Sequence, residues 1–142
     1  VPSRILDTWK YRFCSINIIF SENERKIHSL KNKYNNDRCF LIGNGPSLND
    51  LDLTKIKNEY TFGVNAIYTN FEKMGFLPSF YVVEDVFVAE DRKSEINAMK
   101  GPIKFYGNYL DYCFDKGEDT LWMNVIFRYD NYLNFPNFSK NI

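Results

Sequence analysis

Residues 38–50 read RCFLIGNGPSLND, and the fold of the chain follows from how this stretch is read. The unbroken apolar run Cys39 to Ile42 has the pattern of a strand buried on both faces. It runs into Gly43-Asn44-Gly45 and then Pro46-Ser47, residues that end a strand and build a turn. A strand that delivers the chain into a glycine turn is the arrangement by which parallel sheets offer backbone N–H groups to a ligand at their carboxyl edge.

Four further strands are predicted downstream: YTFGVNAI at 60–67, SFYVVE at 79–84, PIKFYG at 102–107 and TLWMNVIF at 120–127. Short helical segments separate them. TNFEKMG has Thr69 or Asn70 as its cap and Gly75 as its stop, and EDRKSEINAMKG carries Glu90 and Asp91 in its first turn with Gly101 past its end. Apolar strands alternating with helices predict an α/β fold, a mostly parallel sheet with helices flanking both faces. Upstream, Ile5, Trp9, Phe13, Ile16 and Phe20 share one helical face. Ser21 with Glu24 has the spacing of a capping box, which starts a second helix through Ile27 and Leu30 that Asn35-Asn36-Asp37 ends. The chain therefore divides into an N-terminal helical segment, 1–36, and an α/β domain, 37–142.

Lysine and arginine together number 18 and so do aspartate and glutamate, so net charge gives no reason to expect nucleic acid or an anionic membrane as a partner. No apolar run approaches the ~18 residues of a membrane span. Cys14, Cys39 and Cys113 are odd in number and scattered, which predicts neither a disulfide framework nor a zinc set but reduced thiols in a cytoplasmic compartment. His28 is the single histidine and falls on the predicted second helix, as a surface residue, so no Ser-His-Asp or Cys-His set can be assembled near the glycine turn.

Several residues around that turn carry ligand chemistry. Gly43 and Gly45 permit positive φ and let backbone N–H groups approach an anion, and Asn44 tolerates left-handed φ. Pro46 fixes φ, while Ser47 offers an N–H and a hydroxyl and, with Asp50, resembles a helix start. Leu48 stands where the dinucleotide fingerprint has its third glycine, and the lysine of a P-loop is missing. The stretch is thus a candidate phosphate loop of neither standard type, with a plain tight turn as the alternative.

Asn65 ends the second strand, 22 residues after Gly43, where nucleotide-binding sheets place a ribose-reading side chain; the alternative is a helix cap. Glu84 and Asp85 leave the third strand and could hold Mg²⁺ against a di- or triphosphate, whereas Glu90 and Asp91 read as helix-dipole charges. Tyr106, Tyr109 and Asp111 follow the fourth strand as further contributors. These groups bind; none of them is a clear general base.

CFLIGNGPSLNDLDLTKIKNEYTFGVNAIY, with FEKMGFLPSFYVVED after it, resembles the 6-hydroxymethylpterin pyrophosphokinase-like family. That group is similar to the motility accessory factor glycosyltransferases and to bacterial lipooligosaccharide sialyltransferases. The resemblance covers roughly residues 38–108. It implies a Rossmann-like fold with a nucleotide on the glycine loop, with Asn44, Gly45 and Ser47 at the phosphate and ribose and Asn65 on the nucleoside. Glu84 or Asp85 stands where the sialyltransferases have another Asn, a departure that leaves room for a metal-bound nucleotide. The resemblance also implies a second half that supplies a histidine base, so the chain reads as the N-terminal part of a catalytic domain. Alone it is expected to be inactive, with an edge or a face of its sheet bare. The N-terminal helices, a second copy of the chain in a homo-oligomer or further residues would cover it.

Three functions are therefore expected as alternatives. The one carried forward is a glycosyltransferase-like enzyme of surface-glycan synthesis that uses a nucleotide-sugar donor. The second is a Mg²⁺-dependent diphosphokinase acting from ATP on a pterin alcohol. The third is a non-catalytic nucleotide-binding fragment.

Overall fold

The computed structural model describes residue 19 and residues 21–123. The expected helix around Ile5 to Phe20, Cys14, and the last residues of the fifth predicted strand lie outside this range. The chain falls into two units, Asn36–Leu121 and a second made of residues 1–35 with 122–142.

In the first unit, strands form where the apolar runs predict them: β1 (Cys39–Ile42), β2 (Tyr60–Val64), β3 (Phe80–Val83), β4 (Ile103–Gly107) and β5 (Thr120–Met123), the last of which runs on past Leu121. They lie in one Rossmann-like sheet in the order β1-β2-β3-β4-β5, and the ladders β1–β2, β2–β3 and β3–β4 are all parallel. The register is pinned at its start by a reciprocal pair. Thr61 N donates to Ser79 Oγ and Ser79 N to Thr61 Oγ1, both at 3.3 Å.

Each described strand pairs with the next one in sequence. Right-handed crossovers then bring every connection onto the same face. Register puts Ile42, Gly63, Tyr81 and Lys104 in one row, and these residues, with Thr61, Val83 and Tyr106, form the covered face. A Cβ added at Gly63 would meet Ile67 and Pro78, both from the β2–β3 connection, which shows that this connection lies directly on that face. The opposite face carries Leu41, Tyr60, Phe62, Phe80, Val82 and Phe105. Phe62 stacks on Phe80 at a centroid distance of 5.1 Å, and Phe105 closes on both. Tyr60, Phe62, Phe80 and Phe105 thus form an aromatic cluster on this face. β1 is the edge strand, and its Leu41 is 79% exposed although wholly apolar.

Two helices pack in the connections, together with short 3-10 turns. One is a single turn, Phe71–Met74, stopped as expected by Gly75 in the left-handed conformation at φ 72°. The other, Val86–Ala98, begins four residues earlier than predicted and is capped by Asp85. Glu90 and Asp91 therefore stand beyond its first turn and do not act as first-turn charges. Residues 46–50 form a 3-10 turn, not the start of an α-helix.

In the second unit, α1 (Glu22–Ser29) shows the capping box in full: Glu24 N donates to Ser21 Oγ and Ser21 N to Glu24 Oε2, each at 3.1 Å. Numbered in chain order after it, Phe71–Met74 is α2 and Val86–Ala98 is α3. His28 is exposed on α1, as expected for a surface residue. Asn23 on α1 has its amide turned to the main chain of Trp122, accepting from N at 2.7 Å and donating to O at 2.8 Å. No helix among the described residues is long and apolar enough to cross a membrane.

One buried charge tests this packing. Lys104, on the covered face, has a side chain only 5% exposed, and its Nζ lies 3.1 Å from Asp119 Oδ2. The strand pairing supports the contact, since Lys104 N donates to Asp119 O at 2.8 Å. Removing one partner of a buried pair strands the other charge and costs about 3–5 kcal/mol. Because the Asp119 side chain is 34% exposed, water would reach part of the site. Asp119→Ala is expected to lower stability by about 2 kcal/mol in urea unfolding, whereas Lys104→Met is expected to be nearly neutral.

Candidate functional site

The parallel strands point their carboxyl ends to one edge, so the residues that follow them are gathered there by topology alone. Asn44 follows the carboxyl end of β1 by two residues, and Asn65 follows that of β2 directly. Glu84 and Asp85 follow the carboxyl end of β3, and Asn108 follows that of β4. Gly43, Asn44, Gly45, Pro46, Ser47, Asn65, Glu84 and Asp85 therefore share one edge of the sheet, as the sequence spacing predicts.

The loop differs from expectation in how its glycines are used. Neither Gly43 nor Gly45 has positive φ, and Gly45 is extended at φ −70° and ψ 157°. A Cβ at Gly43 would meet nothing within 4 Å, and one at Gly45 only Ser47 Oγ at 3.9 Å. Asn44 is not left-handed either. All five residues, Gly43 to Ser47, are exposed. Gly45 and Ser47 donate their N–H groups to no partner among the described residues, while Gly45 O accepts the Leu48 N–H at 3.0 Å.

The left-handed residue at this edge is Asn65, at φ 48°. Asparagine tolerates this region better than other side chains, and single residues held there cluster at ligand sites. Its carbonyl accepts a 2.6 Å hydrogen bond from the Tyr81 hydroxyl. Tyr81 is fully buried, and that burial, with Tyr68 adding to it, pushes its phenol far above the usual range.

At the third and fourth strand ends the carboxylates are partly engaged. Asp85 Oδ1 accepts from Phe87 N at 2.9 Å and Val88 N at 3.2 Å, so it caps α3. Glu84 is exposed, and its carbonyl accepts from the Tyr109 hydroxyl at 2.7 Å. The Tyr109 ring fills the space that a side chain at Gly107 would need. Burial first, then the charges of Glu84 and Asp85, raise the Tyr109 phenol. Among the described residues no group of three or more His, Cys, Asp or Glu side chains could hold a metal ion. Asp85 thus spends one carboxylate oxygen on its helix, and the two carboxylates at this strand end do not by themselves make a group of three. Of the other contributors named from sequence, Tyr106 is buried on the covered face, stacked on Phe114 at 4.2 Å, and Asp111 is exposed at the end of a 3-10 turn.

Lys73 was not legible as a site residue. From α2 its Nζ donates to Asn49 O at 2.9 Å and to Asn49 Oδ1 at 3.0 Å, tying down the turn that follows the glycine loop. The two elements enclose a cleft of about 70 Å³ lined by Leu48, Asn49, Asp52, Thr54 and Lys73.

The chain matches no family model, no curated protein and no solved structure.

Proposed function

We propose that the chain binds a nucleotide at the carboxyl edge of its sheet, as the donor-binding part of a transferase that uses a nucleotide-activated sugar. The observation that carries this reading is the pair of glycines at 43 and 45. Neither a positive φ nor a neighbouring atom requires glycine at either position. Glycine raises the conformational entropy of the unfolded chain and so costs stability wherever the fold does not need it. A bare backbone here does have a use if an anionic group outside the chain must reach it. In this reading the phosphate lies against the N–H groups of Gly45 and Ser47, and Asn44 and Asn65, at the ends of adjacent strands, receive the ribose or base. Asn65 suits that task because its amide both donates and accepts. The engagement of Asp85 as a cap favours metal-independent donor binding over the Mg²⁺-dependent diphosphokinase reading.

Asn65→Gly tests the assignment, since glycine accepts the left-handed backbone and deletes only the amide. Cytidine and CMP should both lose about 1–3 kcal/mol of binding free energy by calorimetric titration. A loss confined to CMP would place Asn65 at the phosphate and contradict the assignment.

A further inference from the structure

Among the described residues, Tyr81 is a buried polar side chain that reaches the candidate site from within the sheet. It stands on β3 in register with Gly63, two residues before Asn65. The glycine leaves the row beside the Tyr81 ring without a side chain. The hydroxyl donates to Asn65 O at 2.6 Å, a normal length for a strong O–H···O bond. That carbonyl belongs to the non-glycine residue held at φ 48°. A left-handed residue without a restraint relaxes toward the extended or right-handed regions, because Cβ crowds the following carbonyl. The side chain turns with the backbone, so the same relaxation would change the direction in which the Asn65 amide points.

We infer that Tyr81 is a positioning residue of the nucleotide site: its hydroxyl locks the Asn65 main chain in the left-handed conformation and so fixes the direction in which the Asn65 amide is offered. This rests on the nucleotide reading above. Tyr81 does not touch the ligand. Burial raises the phenol's pKa, so Tyr81 remains a donor through the neutral range. Nucleotide affinity therefore carries no pH dependence from Tyr81 over that range.

The test uses the full chain as wild type, Tyr81→Phe, Asn65→Gly and the double variant. Two readouts are taken: the ¹³Cα shift and HN–Hα coupling of residue 65 without ligand, and affinity for CMP, UDP and ATP. Tyr81→Phe keeps the buried ring and removes one oxygen. It should move the residue-65 signals away from left-handed values and weaken nucleotide binding roughly fivefold to tenfold. In the Asn65→Gly background the same substitution should leave affinity unchanged, because there is no amide left to misdirect. A general loosening of the sheet would weaken binding in both backgrounds. Residue-65 signals that stay put in Tyr81→Phe, or an equal affinity loss in both backgrounds, would overturn the inference. Signals that move in a chain whose wild type binds none of the three nucleotides would support the Tyr81–Asn65 coupling and overturn the nucleotide reading instead.

Discussion

Valine at Gly45 is expected to weaken CMP, UDP and ATP binding about a hundredfold while leaving the urea midpoint of unfolding unchanged or slightly raised. The two halves of this result have separate causes. A charge-assisted hydrogen bond contributes about 1.5–3 kcal/mol, so losing one or two phosphate contacts at the loop backbone amounts to roughly that factor. Folding should not suffer, because valine prefers the extended φ and ψ that Gly45 already has. An added Cβ there meets only Ser47 Oγ at 3.9 Å. Gly43→Ala serves as the gentler companion, with open space around its Cβ. If Gly45→Val bound nucleotide as the wild type does, the loop would be a surface turn and nothing more.

Valine at Gly63 should do the reverse. The position lies inside β2, next to its last residue, where β-branched residues are ordinarily welcome. Packing forbids it here: the new Cβ would stand 2.8 Å from Ile67 Cγ2 and 3.1 Å from Pro78 Cγ. Ile67 is fully buried, and the proline ring cannot turn aside. Overpacking of this kind costs about 1–3 kcal/mol and more where the neighbours are rigid, so a loss of about 3 kcal/mol is expected in urea unfolding. Gly63→Ala combined with Ile67→Ala should cost less than the sum of the two single changes, since the smaller side chain vacates the contested space. Full additivity would show that the β2–β3 connection does not lie on Gly63 in solution.

The five strands were legible because each is a short apolar run bounded by turn residues, although only one face of the sheet is covered by the connections. The gathering of Asn44, Asn65, Glu84 and Asp85 at one edge followed from that alone. The errors fall where one residue type serves two purposes. Asp85 carries the charge of a metal ligand and the geometry of an N-cap, and Val86 and Val88 after it have the composition of a strand rather than of a helix. The start of α3 was therefore placed too late. Gly43 and Gly45 suggested left-handed turns, but glycine serves equally where the backbone is merely left bare. The left-handed conformation went to Asn65, hidden in a segment that reads as continuous strand through Ile67. Tyr81 and Lys73 act through partners 16 and 24 residues away, and no local pattern announces such contacts.

The central claim is that the Gly43–Ser47 loop and Asn65 together receive a nucleotide. The most direct measurement is a titration of ¹⁵N-labelled full chain with CMP, UDP and ATP, followed residue by residue by amide and side-chain chemical shifts. Saturable shifts concentrated at Gly43 to Ser47 and on the Asn65 amide, absent in Gly45→Val, are the result predicted. Saturable shifts confined to other parts of the chain, or none with any of the three nucleotides, would contradict the claim.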